Sequence, residues 1–196
     1  KQINTAFNEK CYNKETKGYE KNSQTASAMA LYMGLVDPEN TKQILENLKS
    51  DIRGRNNALT AGDIGYRYVL RVLEAAGESE LIYDMNSKYD VPGYGWQLAH
   101  GATALTESWQ AYGFVSNNHF MLGHLMEWLF SGLGGIRQTD HSVGYSTVLI
   151  DPQVVGDIRS ASSTYLSPYG EISCEWSLMD NEYQIKVSIP ANSNAI

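Results

Sequence analysis

The spacing of the apolar residues changes once along this chain of 196 residues, and that change constrains its fold more than any other feature. Up to about residue 136, apolar residues recur at the three- and four-residue spacing of helices. From "YSTVLIDP" at residue 145 onward, they alternate with polar residues in short runs separated by turn signals. We therefore predict an α + β protein in two parts: α-helical hairpins over residues 1–140 and a small antiparallel β-sandwich over residues 141–196.

The helical part alternates between buried and amphipathic segments. "NSQTASAMALYMGLV" carries few charges and predicts an inner helix with Ser23 as its N-cap. "PENTKQILENLKSDIR" repeats Ile44, Leu45, Leu48 and Ile52 at helical spacing, which predicts an amphipathic outer helix. Residues 116–136 are apolar on nearly every side and predict another buried helix. Inner and outer helices joined by short loops are typical of stacked helical hairpins.

The strand part reads as several short antiparallel strands. Residues at alternate positions predict one buried face, formed by Ile172, Cys174 and Trp176. "SPYG" at residues 167–170 and the pair Asp180–Asn181 predict hairpin turns. We expect no sheet before residue 100 and no helix after residue 160.

Composition excludes several classes of function. The formal net charge is −7 and no basic run is present, which argues against a nucleic-acid partner. No apolar run approaches 18 residues, so we expect no membrane span in this chain. Its two cysteines, Cys11 and Cys174, have neither the spacing of a disulfide framework nor that of a metal site. Thirteen tyrosines and four tryptophans are many for this length and favour aromatic contacts with a ligand.

The chain begins at Lys1 rather than at a methionine, and its first residues already have a helical pattern. We therefore expect it to be the C-terminal piece of a longer protein. The absence of a signal peptide then leaves the compartment undecided.

The stretch "GYGWQLAHGATALTESWQ", residues 93–110, holds the first candidate for chemistry, Glu107. We predict a helix from Gly101 that carries this carboxylate toward a cavity, where it could activate a water as a general base. A loop ahead of it displays Tyr94 and Trp96, whose faces could stack on sugar rings. His119 follows two asparagines at a predicted helix start and could reach the same cavity. Each residue has a structural alternative: a surface carboxylate, core aromatic rings and a capping histidine.

Five stretches taken in order resemble one known family. They are "NSQTASAMALYMGLV", "LTAGDIGYRYVL", "VPGYGWQLAHGATALTESW", "SNNHFMLGHLMEWLFSGLGGI" and "VLIDPQVVGDIRSASSTYLSPYGEISCEW". Together they cover nearly the whole chain, which is similar to the C-terminal portion of the glycoside hydrolase family 78 α-L-rhamnosidases. The resemblance implies the end of a barrel of six helical hairpins, followed by a β-sandwich. It also implies release of terminal α-L-rhamnose with inversion, which needs two carboxyl groups on opposite sides of the sugar.

By the same resemblance, Glu107 falls on the position of the general base. His119 falls on a histidine that holds the sugar, and the loop with Tyr94 and Trp96 walls the sugar site. The family's general acid lies in an acidic motif further upstream, and we find no counterpart in this chain. The implied partners are therefore a rhamnose-containing oligosaccharide, polysaccharide or glycoside and the N-terminal part of the same protein.

The sequence departs from the family pattern at Ala104, Thr106 and Phe120, which leaves sugar specificity open. Two alternatives remain: another exo-glycosidase or unsaturated-uronyl hydrolase on the same barrel, and a non-catalytic carbohydrate-binding relative. We expect no cofactor and no metal, since this hydrolysis needs neither. Enzymes of this class often work outside the cytoplasm, which makes a periplasmic or extracellular location an inference by class alone.

Overall fold

A computed structural model of the chain describes residues 2–180 and 182–196. Its internal contacts divide the chain into two compact units, residues 1–124 and residues 125–196. The first unit is mainly helical and the second consists mainly of small antiparallel sheets, so the predicted fold class is confirmed. The predicted domain boundary after residue 140 stays a prediction.

The first unit contains six α-helices among its described residues. They are α1 (Gln2–Cys11), α2 (Gln24–Tyr32), α3 (Thr41–Gly54), α4 (Tyr66–Ala75), α5 (Ser79–Ser87) and α6 (Tyr94–Ala99), with 3-10 turns at Pro38–Asn40 and Phe120–Leu122. Helix α2 packs against both α3 and α4. The predicted cap of α2 is present, because Ser23 Oγ accepts a hydrogen bond of 3.1 Å from the backbone N–H of Ala26. Helix α3 buries Ile44, Leu48 and Ile52, as its amphipathic pattern predicts.

The first unit also contains a short ladder that sequence patterns did not predict. Strand β1 (Tyr12–Asn13) pairs antiparallel with β2 (Gly18–Tyr19), so the expectation of no sheet before residue 100 is wrong. The side chain of Asn13 explains the turn between the two strands, because its Oδ1 accepts hydrogen bonds from the backbone N–H groups of Glu15 and Thr16. Tyr19 is buried in a cluster with Ala30, Val36 and Ile44.

The second unit has two three-stranded sheets. One orders β3 (Ile136–Gln138), β4 (Thr147–Ile150) and β8 (Asn194–Ala195); the other orders β5 (Ser160–Ser167), β6 (Gly170–Met179) and β7 (Glu182–Ser188). All pairs are antiparallel except β4 with β8. Their core joins both sheets through Ile136, Val148, Ile172 and Cys174.

The predicted strand pattern agrees with this second sheet. Trp176 is buried on the same face as Ile172 and Cys174, and the hairpin at residues 167–170 joins β5 to β6. In that turn Ser167 Oγ donates to the carbonyl of Gly170 and accepts from the backbone N–H of Tyr169. The other predicted turn includes Asn181, which lies outside the described residues. No helix follows residue 160 in the described part of the chain.

The single buried helix predicted over residues 116–136 is wrong. The structure has the 3-10 turn at Phe120–Leu122, then α7 (Leu125–Trp128) and a π-helical turn at Leu129–Leu133. The π turn widens because the N–H of Gly134 donates to the carbonyl of Leu129, five residues back. Gly135 follows at a φ of +72°, a left-handed conformation that ends the helix.

Two hydrogen bonds of the second unit tie this turn to the larger sheet. Ser163 Oγ donates to the carbonyl of Gly134 at 2.8 Å, and Trp176 Nε1 donates to the carbonyl of Leu133 at 2.8 Å. Both donors are buried, so the two carbonyls at the end of the π turn are satisfied by β5 and β6.

Candidate functional site

Helix α6 places Tyr94 and Trp96 in its first turn, so the predicted loop that displays them is wrong in form. The helix can start here because Gly95 has no side chain: a Cβ at that position would lie 2.1 Å from the carbonyl oxygen of Lys88. Trp96 is half-buried and stacks on His100 with ring centroids 4.0 Å apart. Its Nε1 donates to the carbonyl of Gln110 at 3.1 Å. The indole therefore ties α6 to the segment that carries Glu107.

Tyr94 is half-buried in an aromatic cluster. Its ring lies edge-on to Trp109 at 5.1 Å and to Tyr66 at 6.2 Å. Its hydroxyl donates to the carbonyl of Leu122. Tyr66 is fully buried and donates to Asn86 Oδ1 at 2.6 Å, and burial raises the pKa of this phenol well above its ordinary value. The cluster is a rigid support behind the segment that follows α6.

The helix predicted from Gly101 is absent, and residues 100–119 form neither helix nor strand. Some of their backbone hydrogen bonds close local turns, and two others join separate segments of this stretch. The N–H of Glu107 donates to the carbonyl of Ser116 at 2.8 Å, and the N–H of His119 donates to the carbonyl of Leu105 at 2.8 Å. Thr106 Oγ1 competes with helix formation by donating to the carbonyl of Ser108. Glu107 and His119 thus lie on two adjacent backbone segments.

The carboxylate of Glu107 closes the loop that begins at this residue. Its Oε2 accepts a hydrogen bond of 3.1 Å from the backbone N–H of Ser116, while Oε1 accepts none from any described residue. The side chain is exposed, but its neighbours are fixed: Thr106 is 1% exposed and Trp109 is 4% exposed. Trp109 Nε1 donates to the carbonyl of Ala61 at 2.6 Å. One oxygen of Glu107 therefore holds the loop, and the other is available to a water molecule.

His119 brings in a residue that sequence analysis missed, Asp63. The two side chains approach with His119 Nε2 3.5 Å from Asp63 Oδ2, which is an ionic contact when the imidazole is protonated and too long for a good hydrogen bond. The Nε2 atom is buried and has no hydrogen-bond partner among the described residues. Asp63 sits in the turn before α4, held by the N–H of Ile64 on its Oδ1. The acidic residue after the turn "LTAG" is the only sequence signal that could have pointed to it.

Two clefts border this segment. The first, of about 290 Å³, is polar, and it is lined by Thr106 but not by Glu107. The second, of about 380 Å³, is mostly apolar and includes Tyr94. The first is lined by His100, Gly101, Ala102, Thr103, Ala104, Thr106, Ala111, Gly113 and Asn117.

The side chains of the described residues form no group of three or more His, Cys, Asp or Glu that could hold a metal ion. Within those same residues, no helix is long and apolar enough to cross a lipid bilayer.

Two family models match this chain. The bacterial alpha-L-rhamnosidase 6 hairpin glycosidase domain matches residues 1–133, and the bacterial alpha-L-rhamnosidase C-terminal domain matches residues 135–196. The chain belongs to the bacterial α-L-rhamnosidase family. The predicted family resemblance is therefore confirmed, and the family is one of glycoside hydrolases.

Curated α-L-rhamnosidases are similar in sequence to most of this chain. One from Formosa agariphila is 29% identical over an alignment of 182 residues, which covers 88% of this chain and 19% of that protein. One from an Alteromonas species is 26% identical and covers 89% of this chain and 20% of that protein. The chain thus spans about a fifth of the length of these relatives.

Solved rhamnosidase structures share the fold of this chain. The α-L-rhamnosidase from Dictyoglumus thermophilum superposes with a TM-score of 0.89 at 30% identity, covering 99% of this chain and 22% of that one. The Streptomyces avermitilis α-L-rhamnosidase, complexed with L-rhamnose, superposes with a TM-score of 0.91 at 26% identity, covering 99% and 19%. The helical unit and the β unit therefore both have counterparts in rhamnosidases.

Proposed function

We propose that this chain supplies the general base and part of the sugar site of an α-L-rhamnosidase that releases terminal α-L-rhamnose with inversion. The observation that carries the proposal is the Glu107 carboxylate, held through Oε2 by the Ser116 N–H and available through Oε1. A general base must be fixed in place yet able to accept a proton. Glu107 meets both requirements.

Inversion requires a water between the base and the sugar. In an inverting glycosidase the base removes a proton from that water as its oxygen attacks the anomeric carbon, while an acid on the other face protonates the leaving oxygen. Glu107 is the base in this proposal. The acid comes from the helical hairpins upstream in a longer polypeptide, and no cofactor takes part.

The neighbours of Glu107 bind and orient the sugar. His119 contacts a sugar hydroxyl through the exposed part of its ring, because its Nε2 is buried and lies 3.5 Å from Asp63 Oδ2. Trp96 and Tyr94 form the wall of the sugar site. Tyr94 contributes its ring rather than its hydroxyl, because the hydroxyl donates to the carbonyl of Leu122. The substrates are rhamnose-containing oligosaccharides, polysaccharides or glycosides.

The relatives support this assignment. Two curated proteins similar to this chain are α-L-rhamnosidases, and a solved relative with the same fold is complexed with L-rhamnose. They support a catalytic role for the longer polypeptide. Because this proposal assigns the acid to the upstream part of the longer polypeptide, we expect the 196-residue chain alone to hydrolyse rhamnosides slowly or not at all.

The test uses an aryl α-L-rhamnoside and proton NMR. The longer polypeptide is expected to release rhamnose whose first-formed anomer has inverted configuration, before mutarotation mixes the two anomers. The 196-residue chain serves as the control and is expected to fall short by about 10²–10⁴-fold, the usual value of general acid catalysis. A first product of retained configuration would contradict the inverting mechanism. Full turnover by the 196-residue chain would contradict the assignment of the general acid to the upstream part of the longer polypeptide.

A further inference from the structure

The loop that Glu107 closes carries two exposed aromatic rings. Tyr112 and Phe114 stack with ring centroids 5.1 Å apart and an interplanar angle of 11°. Phe114 is 84% exposed and Tyr112 is 46% exposed. Parallel exposed rings on one loop offer a flat apolar surface, which in proteins commonly contacts a ligand.

The loop is fixed at both its ends and near its middle. Its ends are joined by the two hydrogen bonds between Glu107 and Ser116. Between the ends, the buried Trp109 anchors the loop by donating from Nε1 to the carbonyl of Ala61, and the carbonyl of Gln110 accepts a hydrogen bond from Trp96 Nε1. The rings are therefore presented by a supported loop, so binding a ligand there costs little ordering of the backbone.

The two rings lie on the same loop as the proposed base, Glu107. They stand five and seven residues after Glu107, on the loop whose closure uses the Glu107 carboxylate itself. Ala111 and Gly113, the residues on either side of Tyr112, line the polar cleft together with Thr106. Tyr112 is thus flanked on both sides by residues of the cleft, on the loop that begins at the proposed base.

We propose that Tyr112 and Phe114 form a stacking platform for the group to which rhamnose is attached. Its ligand is a ring with a flat apolar face, either an aromatic ring or the C–H face of a second sugar. This assignment rests on the proposed function, because it places the leaving group of that reaction on the platform. It identifies ring-bearing rhamnosides, rather than rhamnosides of small alcohols, as the preferred substrates.

The test compares three substrates in the longer polypeptide: methyl α-L-rhamnoside, an aryl α-L-rhamnoside and a rhamnosyl disaccharide. Phe114→Ala and Tyr112→Ala are expected to lower kcat/KM about 2- to 10-fold for a ring-bearing substrate and to leave the methyl rhamnoside unchanged, the size that one stacking contact gives. Phe114→Trp should restore the preference. The aryl and disaccharide results then distinguish an aromatic ring from a sugar ring.

A matched control comes from another exposed aromatic pair. Tyr32 is 43% exposed and lies edge-on to Tyr68 at 5.1 Å, on elements outside this loop. Tyr32→Ala should not change the ratio of kcat/KM between ring-bearing and methyl substrates. Equal losses on all three substrates for Phe114→Ala, or no loss on either ring-bearing one, would overturn the platform. Equal losses with a lower Tm would assign the rings to contacts with the rest of the polypeptide.

Binding separates this proposal from the proposed function. Titration calorimetry with the Glu107→Gln variant measures the affinity for the same three compounds without turnover. If the wild-type polypeptide releases no rhamnose, the proposed function fails. In that case a ring-dependent affinity lost in Phe114→Ala still supports the platform, and an affinity unaffected by that change refutes it.

Discussion

Replacing Glu107 by glutamine separates the chemical role of this side chain from its structural role. The amide oxygen of glutamine can still accept the hydrogen bond that the Ser116 N–H gives to Glu107 Oε2. The side chain is exposed, so the change buries no new polar group and should alter the free energy of unfolding by less than about 0.5 kcal/mol. The amide cannot accept a proton from water at neutral pH. The loss of activity therefore measures the base alone.

The expected loss follows from the size of general base catalysis. A factor of about 10²–10⁴ in kcat corresponds to roughly 2.7–5.4 kcal/mol of transition-state stabilisation, at about 1.36 kcal/mol for each factor of ten. KM should change little, because the shape of the side chain is kept. Glu107→Ala should lose the same activity and in addition lower the stability of the loop, because the bond to Ser116 is gone.

The assay follows hydrolysis of an aryl α-L-rhamnoside by the longer polypeptide, with Glu9→Gln on α1 as a control that removes an exposed charge elsewhere. Azide added to Glu107→Gln should partly restore turnover, because this anion can attack the anomeric carbon opposite the leaving oxygen without losing a proton. The rhamnosyl azide should have inverted configuration. Unchanged kcat in Glu107→Gln would show that Glu107 does not take part in catalysis. An azide product of retained configuration would refute the placement of Glu107 on the side of the sugar opposite the leaving oxygen.

Three further predictions concern the surroundings of Glu107 and the helical unit. Trp109→Phe should cost about 2–4 kcal/mol of unfolding free energy in urea, because it leaves the buried carbonyl of Ala61 without its donor and opens a cavity; a loss below 1 kcal/mol would contradict this. Asp63→Asn should raise KM more than it lowers kcat, and the change should have no further effect in a His119→Ala background; additive effects would show that Asp63 does not act through His119. Burial, with the charge of Asp37 nearby, raises the pKa of Tyr19 to about 12 from an ordinary value of about 10. The neutral phenol therefore contributes its full stabilisation below pH 10, and up to about 2.7 kcal/mol of unfolding free energy is lost as the pH rises through 12. Unfolding free energies measured against pH should fall less steeply in Tyr19→Phe, and identical slopes would refute the role of this phenol.

Local sequence patterns predicted those elements whose apolar residues repeat regularly. Helix α3 and strand β6 are examples, because Ile44, Leu48 and Ile52 in the helix and Ile172 and Cys174 in the strand fall on one buried face. Such patterns reflect burial, which each element carries in its own residues. The change from helices to sheets along the chain was therefore predictable, whereas the family was predicted from the resemblance of five sequence stretches.

The conformation around Glu107 was not predictable, because it depends on partners distant in sequence. Trp109 bonds to a carbonyl 48 residues earlier, and the backbone of His119 pairs with Leu105 rather than with its own next turn. A run of small residues such as Ala102–Ala104 favours helix only where no such partners compete. Asp63 was not predicted as a site residue for the same reason, since only the folded chain brings it close to His119.

The end of the π turn has a consequence for anyone who builds chimeras from such enzymes. A crossover between residues 133 and 135, where the two matched family regions meet, would take the carbonyls of Leu133 and Gly134 from one parent and their donors Trp176 and Ser163 from the other. The incoming β region would also need a glycine at position 135, where a Cβ would lie 2.5 Å from the backbone nitrogen of Pro152. A crossover before Leu125 transfers the turn together with the sheet that satisfies it. Grafts cut there should express as soluble protein more often than grafts cut ten residues later.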